Sequence, residues 1–166
     1  MKFKKGDILL FKNGTSFYSK MIQWATSSKY SHVGLLLDPD PKKLTTGEAL
    51  SKGFHIQDSY GWIDKLIEED KVDVFRYQRL GANQAQSIVD FAYSIEGTKY
   101  DWMDIFDIGV LVLTGARIKT GSANKYICSE AVAKAYGRLD IQLCPKFDDE
   151  VTPADISRSK LLKRMK

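Results

Sequence analysis

The feature that most constrains the fold is one helical segment that carries a cysteine near its start. This segment covers residues 126–137, with the sequence YICSEAVAKAYG. Small and apolar residues follow Cys128 at helical spacing, three, four, seven and eleven positions later (Ala131, Val132, Ala135 and Leu139). The cysteine therefore shares the helix face that points into the protein, and we expect the rest of the chain to be organised around this helix.

Cys128 has two interpretations. An unpaired cysteine is most often a small, buried apolar residue. At a helix N-terminus, however, unpaired N–H groups and a partial positive charge lower the pKa of a thiol and favour a nucleophile. A nucleophile needs a base, and the two histidines of the chain are His32 and His55.

His32 lies at the entrance of an apolar run, residues 30–37, with the sequence YSHVGLLL. Such a run predicts a buried strand. A titratable ring at the start of a core strand costs stability unless the ring is hydrogen-bonded or used in chemistry. A lone histidine is more often a satisfied core residue than a catalyst, so this pattern alone leaves both roles open.

Size and composition predict a single globular domain over residues 1–166. Hydrophobic residues make up 43% and charged residues 28% of the chain, which argues against disorder. The net charge of +4 is small, and aromatic residues do not alternate with a basic stripe. We therefore expect no nucleic-acid partner.

The N-terminus has basic residues but only a short apolar run behind them, so we expect no signal peptide and a cytoplasmic location, unless another route delivers the protein to the cell envelope. The most apolar window, residues 108–113, is far shorter than the roughly 20 residues of a membrane span. Cys128 and Cys144 cannot form a disulfide framework, and both should be reduced. Cys144 precedes a proline in a predicted loop and should be unreactive.

The hydrophobic patterns predict an α+β fold. We expect strands over 8–11, 31–37, 54–59 and 72–77, and helices over 16–28 and 82–95. Residues 42–53 should form a loop, residues 102–118 a partly helical stretch beside a cleft, and residues from 153 onward a basic helix. The aromatic residues of the first helix should lie in the core.

Five blocks of sequence resemble one known family. They are GDILLF at 6–11, SHVGL at 31–35, GTKYD at 97–101, YICSE at 126–130 and TPADI at 152–156. In this order they are similar to the circularly permuted papain-like cysteine hydrolases, in the YiiX/YebB-like branch of the NlpC-type superfamily, which is akin to lecithin:retinol acyltransferase. The resemblance implies a small antiparallel β-barrel or sheet packed with helices, with the nucleophile at a helix N-terminus.

The resemblance also implies roles for individual residues. Cys128 would be the nucleophile, with its own N–H as an oxyanion donor, and His32 would be the base. By position in the family pattern Gln57 would orient the base, although it departs from the acidic residue common among YiiX-like members, and Asp58 is the alternative. His55 could stand in as the orienting residue if the register is shifted. Substrate contacts would come from Ser31, Tyr100 and Tyr126, whereas Glu130 should be structural.

The resemblance implies thiol hydrolysis of an amide bond, with peptidoglycan peptides as a candidate substrate, and we expect no cofactor or metal. The alternatives are a lipid or acyl-ester hydrolase, an acyltransferase of the same fold, or a binding module without catalysis. The expected partner is thus a peptide, cell-wall or lipid-derived acyl substrate. A metal site built from His32, His55, Asp58 and Cys128 is a further hypothesis, weakened by the lack of any close ligand spacing.

Overall fold

A computed structural model describes residues 2–12, 14–50, 53–98 and 128–165. The elements, in chain order, are β1 (Ile8–Lys12), α1 (Phe17–Ala25), β2 (Tyr30–Asp40), β3 (Lys43–Leu50), β4 (Gly53–Asp58), α2 (Trp62–Glu68), β5 (Val72–Tyr77), α3 (Ala82–Ser94), α4 (Cys128–Gly137), α5 (Pro153–Ser157) and β6 (Leu162–Arg164). A short 3₁₀ turn, Asp148–Glu150, precedes α5. The α+β prediction is confirmed.

The strands within these described residues form one antiparallel sheet of six strands in the order β4-β3-β2-β1-β5-β6. Its central strand β1 is buried on both faces, because Ile8, Leu9 and Leu10 are all 0% exposed. Side chains alternate between the two faces of a strand. The sheet therefore has a separate apolar layer on each side.

The larger apolar layer contains the odd-numbered residues of β2, such as Val33 and Leu35, together with α3 and α4. Ile88 of α3 and Tyr136 of α4 are each 0% exposed within it. The smaller layer contains Leu36 and is closed by Ile63 of α2. The predicted helix over 82–95 is thus confirmed as a cover of one face of the sheet, and the described part of the helix predicted over 126–137, Cys128–Gly137, packs on the same face.

The predicted loop over 42–53 is wrong, because residues 43–50 form strand β3. This strand pairs with β2 on one side and with β4 on the other, so β4 does not lie directly beside the strand of His32. The strand predicted over 31–37 is longer in the structure, because β2 continues through Pro39 to Asp40, beyond a register shift between Leu36 and Asp38. A proline is tolerated where its missing N–H is not needed by the ladder.

Two other expectations about packing are wrong. Phe17 and Trp24 of α1 are 76% and 68% exposed; their spacing of seven residues places both on one face of the helix, and the packing of α1 turns that face outward. The predicted basic helix at the C-terminus is limited to the five residues of α5. The chain then forms β6, which pairs antiparallel with β5.

A buried ionic network holds the start of β2 to its neighbours. Asp73 on β5 is 1% exposed and accepts hydrogen bonds from Tyr30 (2.5 Å), Lys12 (3.0 Å) and Arg164 (2.8 Å). Lys29 lies 3.2 Å from the same carboxylate. Strands β1, β2, β5 and β6 each contribute a partner or the carboxylate itself. The network therefore holds these four strands together near the start of β2, where His32 lies.

Within the described ranges, no helix has both the length and the apolar character needed to cross a membrane.

Candidate active site

Cys128 is the first residue of α4 in the part of the chain that the structure describes. Ala131, Val132 and Ala135 are each 1% exposed, which confirms that the cysteine face of this helix points into the protein. Cys128 itself is 5% exposed. The first N–H groups of a helix have no partner within the helix, so the sulfur lies where backbone donors are available.

His32 lies near the start of β2, directly opposite Phe11 of β1. Its ring centroid is 5.0 Å from that of Phe11, which in turn is 6.0 Å from the ring of Trp62. The His32 side chain is 21% exposed and Trp62 is 43% exposed. One edge of the imidazole is therefore shielded by aromatic carbon, while part of the ring remains accessible.

A carboxylate from β3 contacts the imidazole. Nε2 of His32 lies 2.9 Å from Oε2 of Glu48, a residue that is 2% exposed. The opposite position on β2 is Gly34, where an added Cβ would lie 2.7 Å from Cγ of Glu48. The glycine thus leaves room for the Glu48 side chain to cross β2 and reach the ring.

The hydrogen bond between His32 and the Cys128 thiol sets the charge of the pair. Burial alone lowers the pKa of His32, but hydrogen bonds to Cys128 and Glu48 and the negative charge of both raise it to about 10. Burial alone raises the pKa of the Cys128 thiol, yet the bond and charge of His32 and the N–H groups of Val33 and Ser129 lower it. Both shifts favour thiolate and imidazolium over the neutral pair.

The arrangement fixes the tautomer as well. Nε2 faces Glu48, so the ring nitrogen left for the sulfur is Nδ1. An ion pair of this kind activates a thiol for attack on a carbonyl carbon. What the three side chains can do chemically is nucleophilic acyl transfer.

The comparisons with known proteins agree with this chemistry. Residues 2–147 match a family model described as permuted papain-like amidase enzyme, YaeF/YiiX, C92 family. The chain belongs to this family. It is therefore a papain-like cysteine amidase by family, and the predicted permuted papain-like resemblance is confirmed.

A solved structure shares the C92 fold seen here. It is titled crystal structure of metalloprotein yiiX from Escherichia coli O157:H7, DUF1105. The two chains are 23% identical with a TM-score of 0.74, over 100% of this chain and 98% of the other. A search of curated proteins gave no match.

That protein is described as a metalloprotein. Within the ranges that the structure describes, no group of three or more His, Cys, Asp or Glu side chains is arranged to hold a metal ion. In the hypothetical set from sequence, Asp58 is exposed and accepts the N–H of Tyr60 at 3.0 Å. Among the described residues, the donors of that set are therefore not gathered around one metal position.

The side chain that contacts Nε2 of His32 differs from the sequence-based candidates for the orienting residue. The contact with Nε2 of His32 comes from Glu48, whereas Gln57 donates from its own Nε2 to Oε1 of Glu48 at 3.1 Å. Asp58 follows on the opposite face of β4. Gln57 therefore reaches the carboxylate and not the ring, because β3 lies between its strand and that of His32.

His55 is not paired with the imidazole of His32 either. It lies opposite Glu48 in the ladder between β3 and β4, and its Nε2 is buried without a hydrogen-bond partner among the described residues. A signal for Glu48 was present in the sequence TTGEAL of residues 45–50, where a single acid stands among small and apolar residues. Such an acid, when buried, needs partners that stabilise its charge.

Several other predicted residues have different outcomes. Burial raises the pKa of the Cys144 thiol to about 11, in keeping with the prediction that it is unreactive. Ser31 is 5% exposed, and its substrate contact stays a prediction. Glu130 forms an ion pair with Lys134 at 2.8 Å, as a structural residue would. The predicted contacts from Tyr100 and Tyr126, and the stretch over 102–118, lie outside the described residues.

Proposed function

We propose that this C92-family chain cleaves an amide bond of a peptide, with Cys128 as nucleophile, His32 as base and Glu48 as the residue that orients the base. The observation that carries the proposal is that one imidazole contacts both a thiol at the start of a helix and a buried carboxylate. A triad is recognised by geometry and not by chain order. Peptides of the bacterial cell wall are the substrate class that we infer from the family.

In the first half-reaction, the Cys128 thiolate attacks the carbonyl carbon of the amide and the π electrons move to oxygen. The N–H of Cys128, at the start of α4, donates to the resulting oxyanion. When the carbonyl re-forms, the C–N bond breaks and the leaving amine takes the proton from Nδ1 of His32. A thioester on Cys128 and a neutral imidazole remain.

In the second half-reaction, neutral His32 accepts a proton from water at Nδ1 while the water oxygen attacks the thioester carbon. Collapse of this intermediate expels the Cys128 thiolate and releases the carboxylic acid. The imidazolium and thiolate are thereby restored. Glu48 keeps the proton of Nε2 in place throughout, so that Nδ1 is the nitrogen that exchanges protons.

The test is to trap the thioester. After the protein is mixed with peptidoglycan stem peptides and quenched in acid, intact mass spectrometry should show an acyl adduct. Cys128→Ala should abolish both the adduct and peptide turnover, whereas Cys144→Ala should retain both, because the pKa of the Cys144 thiol is raised to about 11. Unchanged turnover in Cys128→Ala would contradict the proposal.

The same assay separates the substrate classes. A panel of peptide amides and a panel of fatty-acyl esters should be compared by the rate of adduct formation. The alternative of an apolar acyl substrate depends on the apolar window over 108–113, which lies outside the described residues. Faster acylation by peptide amides supports the amidase, and acylation by esters alone would assign the chain to the other class.

A further inference from the structure

The second oxygen of the Glu48 carboxylate is held by two donors that do not belong to the triad. Oε2 faces His32, whereas Oε1 accepts from the hydroxyl of Thr46 and from Nε2 of Gln57, each at 3.1 Å. We propose that Thr46 and Gln57 are positioning residues that aim the carboxylate at the imidazole, with Ser59 fixing the hydroxyl of Thr46. This inference rests on the proposed triad.

The hydrogen bonds that link Ser59, Thr46 and Glu48 can run in only one donor-to-acceptor direction. Oγ1 of Thr46 is 3.1 Å from Oε1 of Glu48 and 2.7 Å from Oγ of Ser59. An ionised carboxylate only accepts, and each hydroxyl has a single proton to donate. Thr46 therefore donates to Glu48, and Ser59 must donate to Thr46. Because aligned hydrogen bonds polarise one another in a site of low dielectric, the Ser59 proton strengthens the Thr46 bond.

Burial makes the hydrogen bonds between Ser59, Thr46 and Glu48 necessary for the Glu48 carboxylate. Thr46 is 0% exposed, Ser59 is 1% exposed and Glu48 is 2% exposed. Water cannot replace a donor that is removed from a site this buried, so the loss of one donor leaves the carboxylate without one of its hydrogen bonds. The half-buried Gln57 is the donor on the solvent side of the same oxygen.

The ladder between β3 and β4 brings these donors together. Thr46 pairs with Gln57, and Glu48 is two residues farther along β3 on the same face. With both donors on Oε1, rotation of the carboxylate would break two hydrogen bonds. Oε2 is thereby left for His32 alone. On the other strand, Gly34 leaves the path of the Glu48 side chain open.

The titratable groups that face Glu48 determine which property an experiment should measure. Among the described residues they are His32 from β2, Cys128 from α4, and His55 from β4, directly across the ladder. A carboxylate that points away from the imidazole stabilises the imidazolium less, and the thiolate less in turn. The consequence is a change in the pH dependence of thiol reactivity, which a purely structural role would not produce.

The experiment uses iodoacetamide as the probe, in a Cys144→Ala background so that Cys128 is the thiol measured. Thr46→Val should slow the alkylation of Cys128 about tenfold at acidic pH, the loss expected for one hydrogen bond to a charged group. The rate at high pH, where any thiol is ionised, should be unchanged. Thr46→Ser should restore the acidic rate because it restores the hydroxyl.

Thr45→Val is the matched control. Thr45 is the neighbouring residue on β3, is 9% exposed, and its hydroxyl contacts the carbonyl of Lys43 at 3.4 Å on the opposite face. Removal of the Thr45 hydroxyl should leave the pH dependence of Cys128 alkylation as it is in the Cys144→Ala parent. Gln57→Leu, at a partly exposed position where folding is not at risk, should give a smaller loss at acidic pH than Thr46→Val, and the double variant a loss larger than either.

The outcomes separate two failures. If Thr46→Val and Gln57→Leu fold and keep the parental pH profile, the positioning role is wrong while the triad is untouched. If Cys128 of the Cys144→Ala parent is alkylated with the pH dependence of an ordinary thiol, the proposed triad itself is wrong, and the positioning role is wrong with it. Loss of reactivity in Thr46→Val at all pH values, without rescue in Thr46→Ser, would indicate damage to the fold and would also contradict the positioning role.

Discussion

Glu48→Gln should lower the rate of amide hydrolysis by about a thousandfold or more, the loss seen when the acid of such a triad becomes an amide. The amide oxygen can still accept from Thr46 and Gln57, which leaves the NH₂ group facing His32. Nε2 must then be the unprotonated nitrogen, so the ring proton moves to Nδ1. A ring in this tautomer cannot take a proton at the nitrogen that faces the sulfur. Steady-state hydrolysis of the stem peptides measures the effect.

The control is Glu130→Gln, a second glutamate near Cys128, which is 6% exposed and pairs with Lys134. Its rate should fall by less than about threefold, because it has no contact with the imidazole. Gln57→Ala, at the position favoured by the family pattern, should cost far less than Glu48→Gln. A Glu48→Gln protein with the parental rate would exclude Glu48 as the orienting residue.

Asp73→Ala should destabilise the protein by about 3–5 kcal/mol, since it leaves a buried charge without its main partner. The side chain of Lys12 is 2% exposed and bonds to both Asp73 and Asp70. Removal of Asp73 also takes the acceptor from the hydroxyl of the buried Tyr30, whereas the guanidinium of the half-exposed Arg164 can bond to water instead. Urea unfolding, followed by circular dichroism, gives the change in the free energy of unfolding.

The same carboxylate predicts a loss of stability in acid. Burial alone would raise the pKa of Asp73, but hydrogen bonds from Tyr30, Lys12, Arg164 and Lys29 lower it to about 2. A group whose pKa is lowered by folding contributes stability above its unfolded value, near 3.9, and loses it as the pH falls through about 2. This contribution should be absent from Asp73→Asn.

Asp70→Ala is the comparison for the ionic network, because that side chain is 85% exposed and water replaces it. Its effect on the free energy of unfolding should be far smaller than that of Asp73→Ala. Equal losses in the two variants would mean that burial of Asp73 does not determine its contribution. The network also bears on the site, since Tyr30 lies two residues before His32.

The proposed nucleophile and base could be picked out from the sequence because each stands out against a regular apolar pattern. Cys128 begins a helix whose inward face is made of small residues, and His32 interrupts a buried strand. Both residues can be identified from the sequence without knowing how the strands pair. The order of the five family blocks then indicated the fold.

Glu48 was not predicted because its strand has no alternation of apolar and polar residues. Strand β3 is buried over 44–49 and includes Thr45, Thr46 and Gly47, a cluster of small and polar residues that in a sequence indicates a loop. Glu48 is buried because His32, Thr46 and Gln57 satisfy its carboxylate. Those partners come from three strands, so only the folded sheet reveals them. The exposure of Trp24 likewise depends on packing around α1 and not on its local spacing.

The most direct test of the account is a pH titration of the ultraviolet absorbance of the Cys128 thiolate, in the Cys144→Ala background and again with His32→Ala. The account predicts a midpoint well below the value of about 8.5 for a free thiol, because His32 bonds to the sulfur. With His32→Ala the midpoint should rise, because burial is then opposed only by the N–H groups of Val33 and Ser129. A midpoint at or above about 8.5 that does not move when His32 is removed would contradict the ion pair, and with it the assignment of Cys128 as an activated nucleophile.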